Sequence, residues 1–200
     1  MAQSEQFPLI SGHLSLDLVN TELVRRGTRH DLLVTVEDLT RWVSEMNQSG
    51  SLHPSAIPDV SNSPEVLQNV RKLRQVLRYH FVNITEGVLP SDDFRRHWEG
   101  LIANAPFAYR LIGDSLVQVP IGTPSDAVAS LVSLDVLRLL ATGELLTLRR
   151  CANPDCVLLF FDATGKRKWC SMRICGNRAK VARHEHRRKT PTVGNQDMGV

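Results

Sequence analysis

The chain has 200 residues, 42% of them hydrophobic and 22% charged, which excludes a wholly disordered chain, a collagen-like fibre and a multi-pass membrane protein. Its net charge of +3 hides an asymmetry: residues 1–148 hold 12 Lys and Arg against 17 Asp and Glu, whereas residues 149–200 hold 12 against 4. All four cysteines lie in the basic segment, so the chain divides into a neutral-to-acidic body (1–148), a basic cysteine-bearing module (149–190) and a tail (191–200) expected to be disordered.

The first residues carry neither a basic n-region nor a long apolar core, so no secretory signal is expected and the chain is assigned to the cytoplasm. No run of eighteen apolar residues occurs, and no membrane partner is expected. Leu14 to Leu18 alternates apolar and polar and suits a strand or the start of a helix. Thr35-Val36-Glu37-Asp38 has capping-box form, and Leu39, Trp42, Val43 and Met46 follow at helical spacing. Asn47 to Ser63 is polar and aperiodic, a connecting loop. From Pro64, the residues Val66, Val70, Leu73, Leu77, Phe81 and Ile84 step by three or four, with Arg71, Lys72, Arg74 and Arg78 on the opposite face. Ser91 caps a third helix with Phe94, Trp98, Leu101 and Ile102 as its apolar stripe. Phe107–Ile112 and Ser115–Val119 flank Gly113-Asp114 as a hairpin. The longest helix is expected from Ser125 to near Gly143. The fold class is therefore α+β, a mostly helical body with a β-hairpin.

The strongest chemistry is Cys151-x4-Cys156-x13-Cys170-x4-Cys175. Two close pairs separated by a closing loop supply four thiolates, the donor set of one structural tetrahedral zinc ion. In a reducing compartment these cysteines are not expected to form disulfides, and a redox motif would need a two-residue spacing. Asn153-Pro154-Asp155 has turn chemistry for a knuckle. Val157–Phe161 and Arg167–Trp169 read as a hairpin around Gly165, and Cys175 falls in the first turn of a following helix. Knuckle, hairpin and helix in that order make a treble-clef-like zinc finger.

On a helix from about Met172 to Arg188, the residues Arg173, Lys180, Arg183, His184 and Arg187 share one face, with Ile174, Val181 and Ala182 opposite. Lys166, Arg167 and Lys168 extend this cationic stripe, which suits phosphate contacts on a nucleic acid, duplex DNA ahead of RNA. Base readout, if any, falls to Arg183 or Arg187 against guanine. Arg178 lies off the stripe and is expected to pack its stem or pair with Glu185; Trp169 is expected in the core.

Cys-Ala-Asn-Pro-Asp-Cys (151–156), Leu-Phe-Phe-Asp (159–162), Trp-Cys-Ser-Met (169–172) and Cys-Gly-Asn-Arg (175–178) resemble the CGNR zinc-finger family. Gly12 to Thr21, with Asp31-Leu32-Leu33 and Leu39-Thr40-Arg41-Trp42, resembles the ABATE domain that precedes that finger. The resemblance covers nearly the whole chain. It implies a bacterial, stress-associated transcriptional regulator whose zinc ligands are Cys151, Cys156, Cys170 and Cys175. For the body, two roles remain open: binding a small-molecule effector, with His13, Asp17, Asn20 and Thr21 as a polar cluster for the pocket, or forming a homodimer that doubles the DNA half-sites. Capping a turn or helix is the favoured use for Asn20 and Thr21. No hydrolase, nucleotide-binding or metalloprotease signature occurs, so an enzyme is not expected. The competing readings are a finger that binds RNA or protein, and a small-molecule-binding body stapled by its finger.

Overall fold

The computed structural model describes residues 6–25, 27–56, 59–61 and 63–181. Four principal helices build the body. α2 (Val36–Gln48) begins with a reciprocal cap: the Asp38 amide donates to Thr35 Oγ1 at 3.2 Å and the Thr35 amide to Asp38 Oδ2 at 3.0 Å. α3 (Pro64–Thr85) starts from Ser63 and α4 (Asp92–Asn104) from Ser91. α5 (Pro124–Ala141) starts from Thr123, whose Oγ1 accepts the Asp126 amide. α3 spans 22 residues against 18 for α5, so the longest helix is α3 and not the one expected near the end of the body.

Leu14–Val19 forms a short helix, α1, every residue of which is buried. Its alternating pattern is misleading because the polar positions are buried too, each with a partner. Ser15 bonds Asp135 through its amide (2.9 Å) and its hydroxyl (2.5 Å). Asp17 accepts the amides of Ile10, Ser11 and Gly12 at 3.1–3.2 Å. Glu22–Arg25 (β1) and Thr28–Asp31 (β2) then form an antiparallel hairpin that the sequence reading did not identify. The signal for it was Gly27, whose φ of 79° suits the turn, in a segment too polar for a strand pattern. Within the polar stretch 47–63, Ala56 and Val60 are buried, so part of that loop packs on the core.

The expected hairpin is present as β3 (Phe107–Ile112) and β4 (Ser115–Pro120), turning at Gly113-Asp114. In the basic module β6 (Leu159–Phe161) pairs not with 167–169 but with β5 (Leu148–Arg150), at the end of the body. Residues 167–169 are not a strand. Asp162 accepts the amides of Thr164 and Arg167 and closes that loop tightly, and the Lys168 carbonyl accepts the Ala152 amide at 2.8 Å.

Hydrophobic burial organises these pieces into one cluster. It runs from Trp42, Leu77, Phe81, Trp98 and Leu139 through Leu16 and Leu18 to Leu158, Leu159, Phe160 and the cysteines Cys151, Cys170 and Cys175. The apolar interior of the finger is thus continuous with that of the body. Arg74 and Arg78 were expected, with Arg71 and Lys72, on the face of α3 opposite its apolar stripe. Instead Arg74 is 1% exposed and forks onto both carboxylate oxygens of Asp31, at 2.6 and 2.7 Å. Arg78 bonds the carbonyls of Val19 and Val157, joining α1 to the finger. Among the described residues no helix is long and apolar enough to cross a membrane.

Candidate metal centre and basic surface

Four different local structures bring the thiols together. Cys151 directly follows β5. Cys156 closes the Asn153-Pro154-Asp155 turn, its amide bonding the Asn153 carbonyl at 2.9 Å. Cys170 follows the loop that Asp162 shapes. Cys175 sits in a wide helical turn, Met172–Gly176, capped by Ser171 Oγ accepting the Ile174 amide.

The four Sγ atoms lie within 4.8 Å of one another, and Cys156 and Cys170 are 3.9 Å apart. A tetrahedral zinc ion with bonds of about 2.3 Å places its sulfurs about 3.8 Å apart, so the donor set and its dimensions fit. Amide donors already point at the sulfurs: the Cys170 main-chain N–H lies 3.5 Å from Cys151 Sγ, and Asn153 Nδ2 lies 3.6 Å from Cys175 Sγ. Such donors stabilise thiolate. Hydrogen bonds from Cys156 and Cys170 hold the Cys151 thiol far below its ordinary range. The same bonds to Cys151 push Cys156 and Cys170 up. A divalent cation relieves this competition by taking all four as thiolates. The cluster is the site of one structural zinc.

The basic residues divide into distinct uses. Lys166, Lys168, Arg173 and Lys180 are exposed. Arg167 is committed to the fold: its guanidinium bonds the carbonyls of Trp169 and Cys170 and lies 4.5 Å over the Phe160 ring. Arg178 is exposed rather than packed, and Val181, expected on the buried side of the helix, is 57% exposed. The wide turn at 172–176 shifts the register of the ideal wheel on which those placements rested. Arg183, His184, Glu185 and Arg187 lie outside the described residues, as does the tail 191–200.

The residues proposed for an effector pocket are instead knitted into the fold. Asp17 holds the loop at 10–12, as described above. Asn20 bonds both main-chain groups of Leu159, Nδ2 to the carbonyl and Oδ1 from the amide, each at 3.0 Å. His13 Nδ1 lies 3.2 Å from Asp135 and Nε2 3.5 Å from Glu144, with the ring edge-on to Phe161 at 5.2 Å. The hydrogen bond and charge of Asp135 raise the His13 pKa above 6.5, against the opposing effect of burial. Sequence reasoning missed Asp135, Glu144 and Arg78 as the partners that tie α1 to its surroundings. They are distant in the chain, and nothing local marks them.

A comparison with curated proteins gave no match. Two family descriptions do match. "CGNR zinc finger" covers residues 147–188 and includes the four clustered cysteines. ABATE, described as "Putative stress-induced transcription regulator", covers residues 12–143, more than half of the chain. The chain therefore belongs to the ABATE family and carries a CGNR zinc finger after its ABATE domain.

Proposed function

We propose that the protein is a cytoplasmic, non-enzymatic regulator of transcription whose zinc finger binds duplex DNA. The observation that carries this reading is the surface of the finger: Lys166, Lys168, Arg173 and Lys180 are all exposed on a module of about forty residues held by a metal site. Exposed cations on a rigid module suit phosphate contacts, and Arg183 and Arg187 would add to their number. Zinc supplies folding energy, and Cys151, Cys156, Cys170 and Cys175 would hold it. Four thiolates fill a tetrahedral site and leave no position for a substrate, which supports a structural role over catalysis. A reducing cytoplasm suits four free thiols. For a homodimer, the exposed Tyr109, Leu111 and Leu116 on one face of the β3–β4 hairpin are the favoured contact.

The test is fluorescence-anisotropy binding of the zinc-loaded protein to a random duplex across salt concentrations. Contact with about six phosphates gives a slope of log affinity against log salt near −5. Lys166→Ala with Lys180→Ala should flatten it by about two. No binding at low salt, or an unchanged slope, removes the DNA reading. It would leave the second reading, a finger that staples the body, which the shared hydrophobic cluster favours. Structured RNA of equal length in competition separates DNA from RNA.

A further inference from the structure

A cleft of about 580 Å³ opens at the seam between body and finger. One wall is the N-terminal segment around Phe7 and strand β1. The other is the zinc knuckle and the wide turn that carries Cys175. Neither part forms the cleft alone.

Its chemistry is divided by depth. Phe7, Leu23 and Leu158 are buried and Ile174 is half-buried, so the floor is apolar. Arg173 and Arg178 are exposed on the finger side of the cleft, Arg173 donating to Gln6 Oε1 of the opposite wall at 3.2 Å, and Asp155 is the one carboxylate among the described lining residues. Cys156 and Cys175 also line it. Four thiolates around one zinc ion leave a residual negative charge beside the cleft. That charge repels an anion from the depth of the cleft and leaves the rim as its place.

We infer that this cleft is a binding site for a small amphipathic anion, an apolar body with one carboxylate or comparable acidic group. The apolar body lies on Phe7, Leu23, Leu158 and Ile174, and the acidic group meets the arginines at the rim. Guanidinium groups favour such oxygens through paired, charge-assisted hydrogen bonds. A neutral apolar molecule leaves the rim unmet. A bare inorganic anion leaves the floor wet. The occupant touches body and finger at once, so the site reads out their relative seating. It is distinct from the His13, Asp17 and Asn20 cluster, which the fold itself consumes.

The probe is anilinonaphthalene sulfonate, an aromatic anion that fluoresces when its apolar body is shielded from water. It is titrated into the full-length protein at verified full zinc occupancy, with octanoate, octanamide and inorganic phosphate as competitors. One saturable site is expected, displaced by octanoate at concentrations where octanamide and phosphate have no effect. Arg173→Gln with Arg178→Gln should weaken the probe about tenfold or more, both residues being exposed and therefore replaceable without unfolding. Arg95→Gln with Arg110→Gln removes the same charge from surfaces that do not line the cleft and should change affinity by less than about twofold. Absence of saturable binding overturns the site. Equal loss in both double variants overturns its location, and displacement by octanamide or phosphate as readily as by octanoate overturns the ligand class. None of these outcomes depends on whether the finger binds DNA, which the salt-dependent anisotropy measures separately.

Discussion

Asp31 and Arg74 are the most consequential charged pair of the body. A guanidinium 1% exposed is tolerable because both Asp31 oxygens and Thr21 Oγ1 accept from it. Asp31→Ala removes the forked partner and leaves Glu22, 3.6 Å from Nη2, as the remaining carboxylate, and is expected to cost about 3 kcal/mol in urea unfolding. Burial raises the Asp31 pKa, but hydrogen bonds from Arg74 and the Leu33 amide outweigh it and hold the carboxyl below 3.8. A depressed folded pKa gives stability that is complete above about pH 4 and lost as pH falls through the folded value. Acid unfolding of wild type should therefore steepen below pH 4, and the Asp31→Ala variant should lack that component. His13 has the opposite sign. Its raised pKa gives stability that is full below 6.5 and fades as pH rises through the folded value. The melting temperature lost in His13→Ala should be larger at about pH 5.5 than at about pH 8.5; an equal loss at both would assign His13 to packing against Phe161.

At the level of elements, contacts are close where the chain turns between α4 and α5. Gly122 precedes α5, and a β-carbon built there would stand 2.7 Å from Ala105 Cβ and 3.3 Å from its Cα. Ala105 is fully buried and cannot retreat. Gly122→Ala should destabilise by about 1–3 kcal/mol through overpacking, with helix content unchanged by circular dichroism. The requirement for glycine is one of space here, since the backbone is not left-handed. By contrast, Gly176 faces the end of the Met172 side chain, which is half exposed and can swing away. The elements themselves were legible where their causes are local. The Thr35 cap, the 3–4 spacing after Pro64, the Ser91 cap and the Gly113-Asp114 turn each lie within a few residues of what they determine. The thiols were legible because their paired spacing, together with the turn residues Asn153-Pro154-Asp155 between the first two, points to the donor set. What escaped depends on partners far along the chain. Arg74 meets Asp31 across 43 residues, and Asn20 meets Leu159 across 139. The pairing of β6 with β5 rather than 167–169 likewise required the loop closed by Asp162.

For the whole molecule, the continuity of the core decides how metal and fold are linked. Cys151, Cys170 and Cys175 share one hydrophobic cluster with Trp42 and Trp98 in the body. Arg78 and Asn20 add polar bonds across the same seam. Removing zinc with a chelator is therefore expected to lower the melting temperature reported by the body tryptophans, in one cooperative transition. Two separated transitions, the body unmoved, would mean that the finger folds independently. A metal that stabilises only a small appendage and one that stabilises the entire chain differ in that single trace.

The Asn20 amide has a further meaning. By donating to the Leu159 carbonyl and accepting from its amide, it acts as one residue of a third strand beside β6. A polypeptide limited to residues 147–188, the span of the finger, would have its four cysteines but not this side chain. Its strand would then present an unpaired edge flanked by Leu158 and Phe160, both nearly fully buried in the intact chain. Such an edge recruits copies of itself. Isolated fingers should therefore self-associate, whereas in the whole protein Asn20 precedes Leu159 during synthesis and the cover is made before the edge.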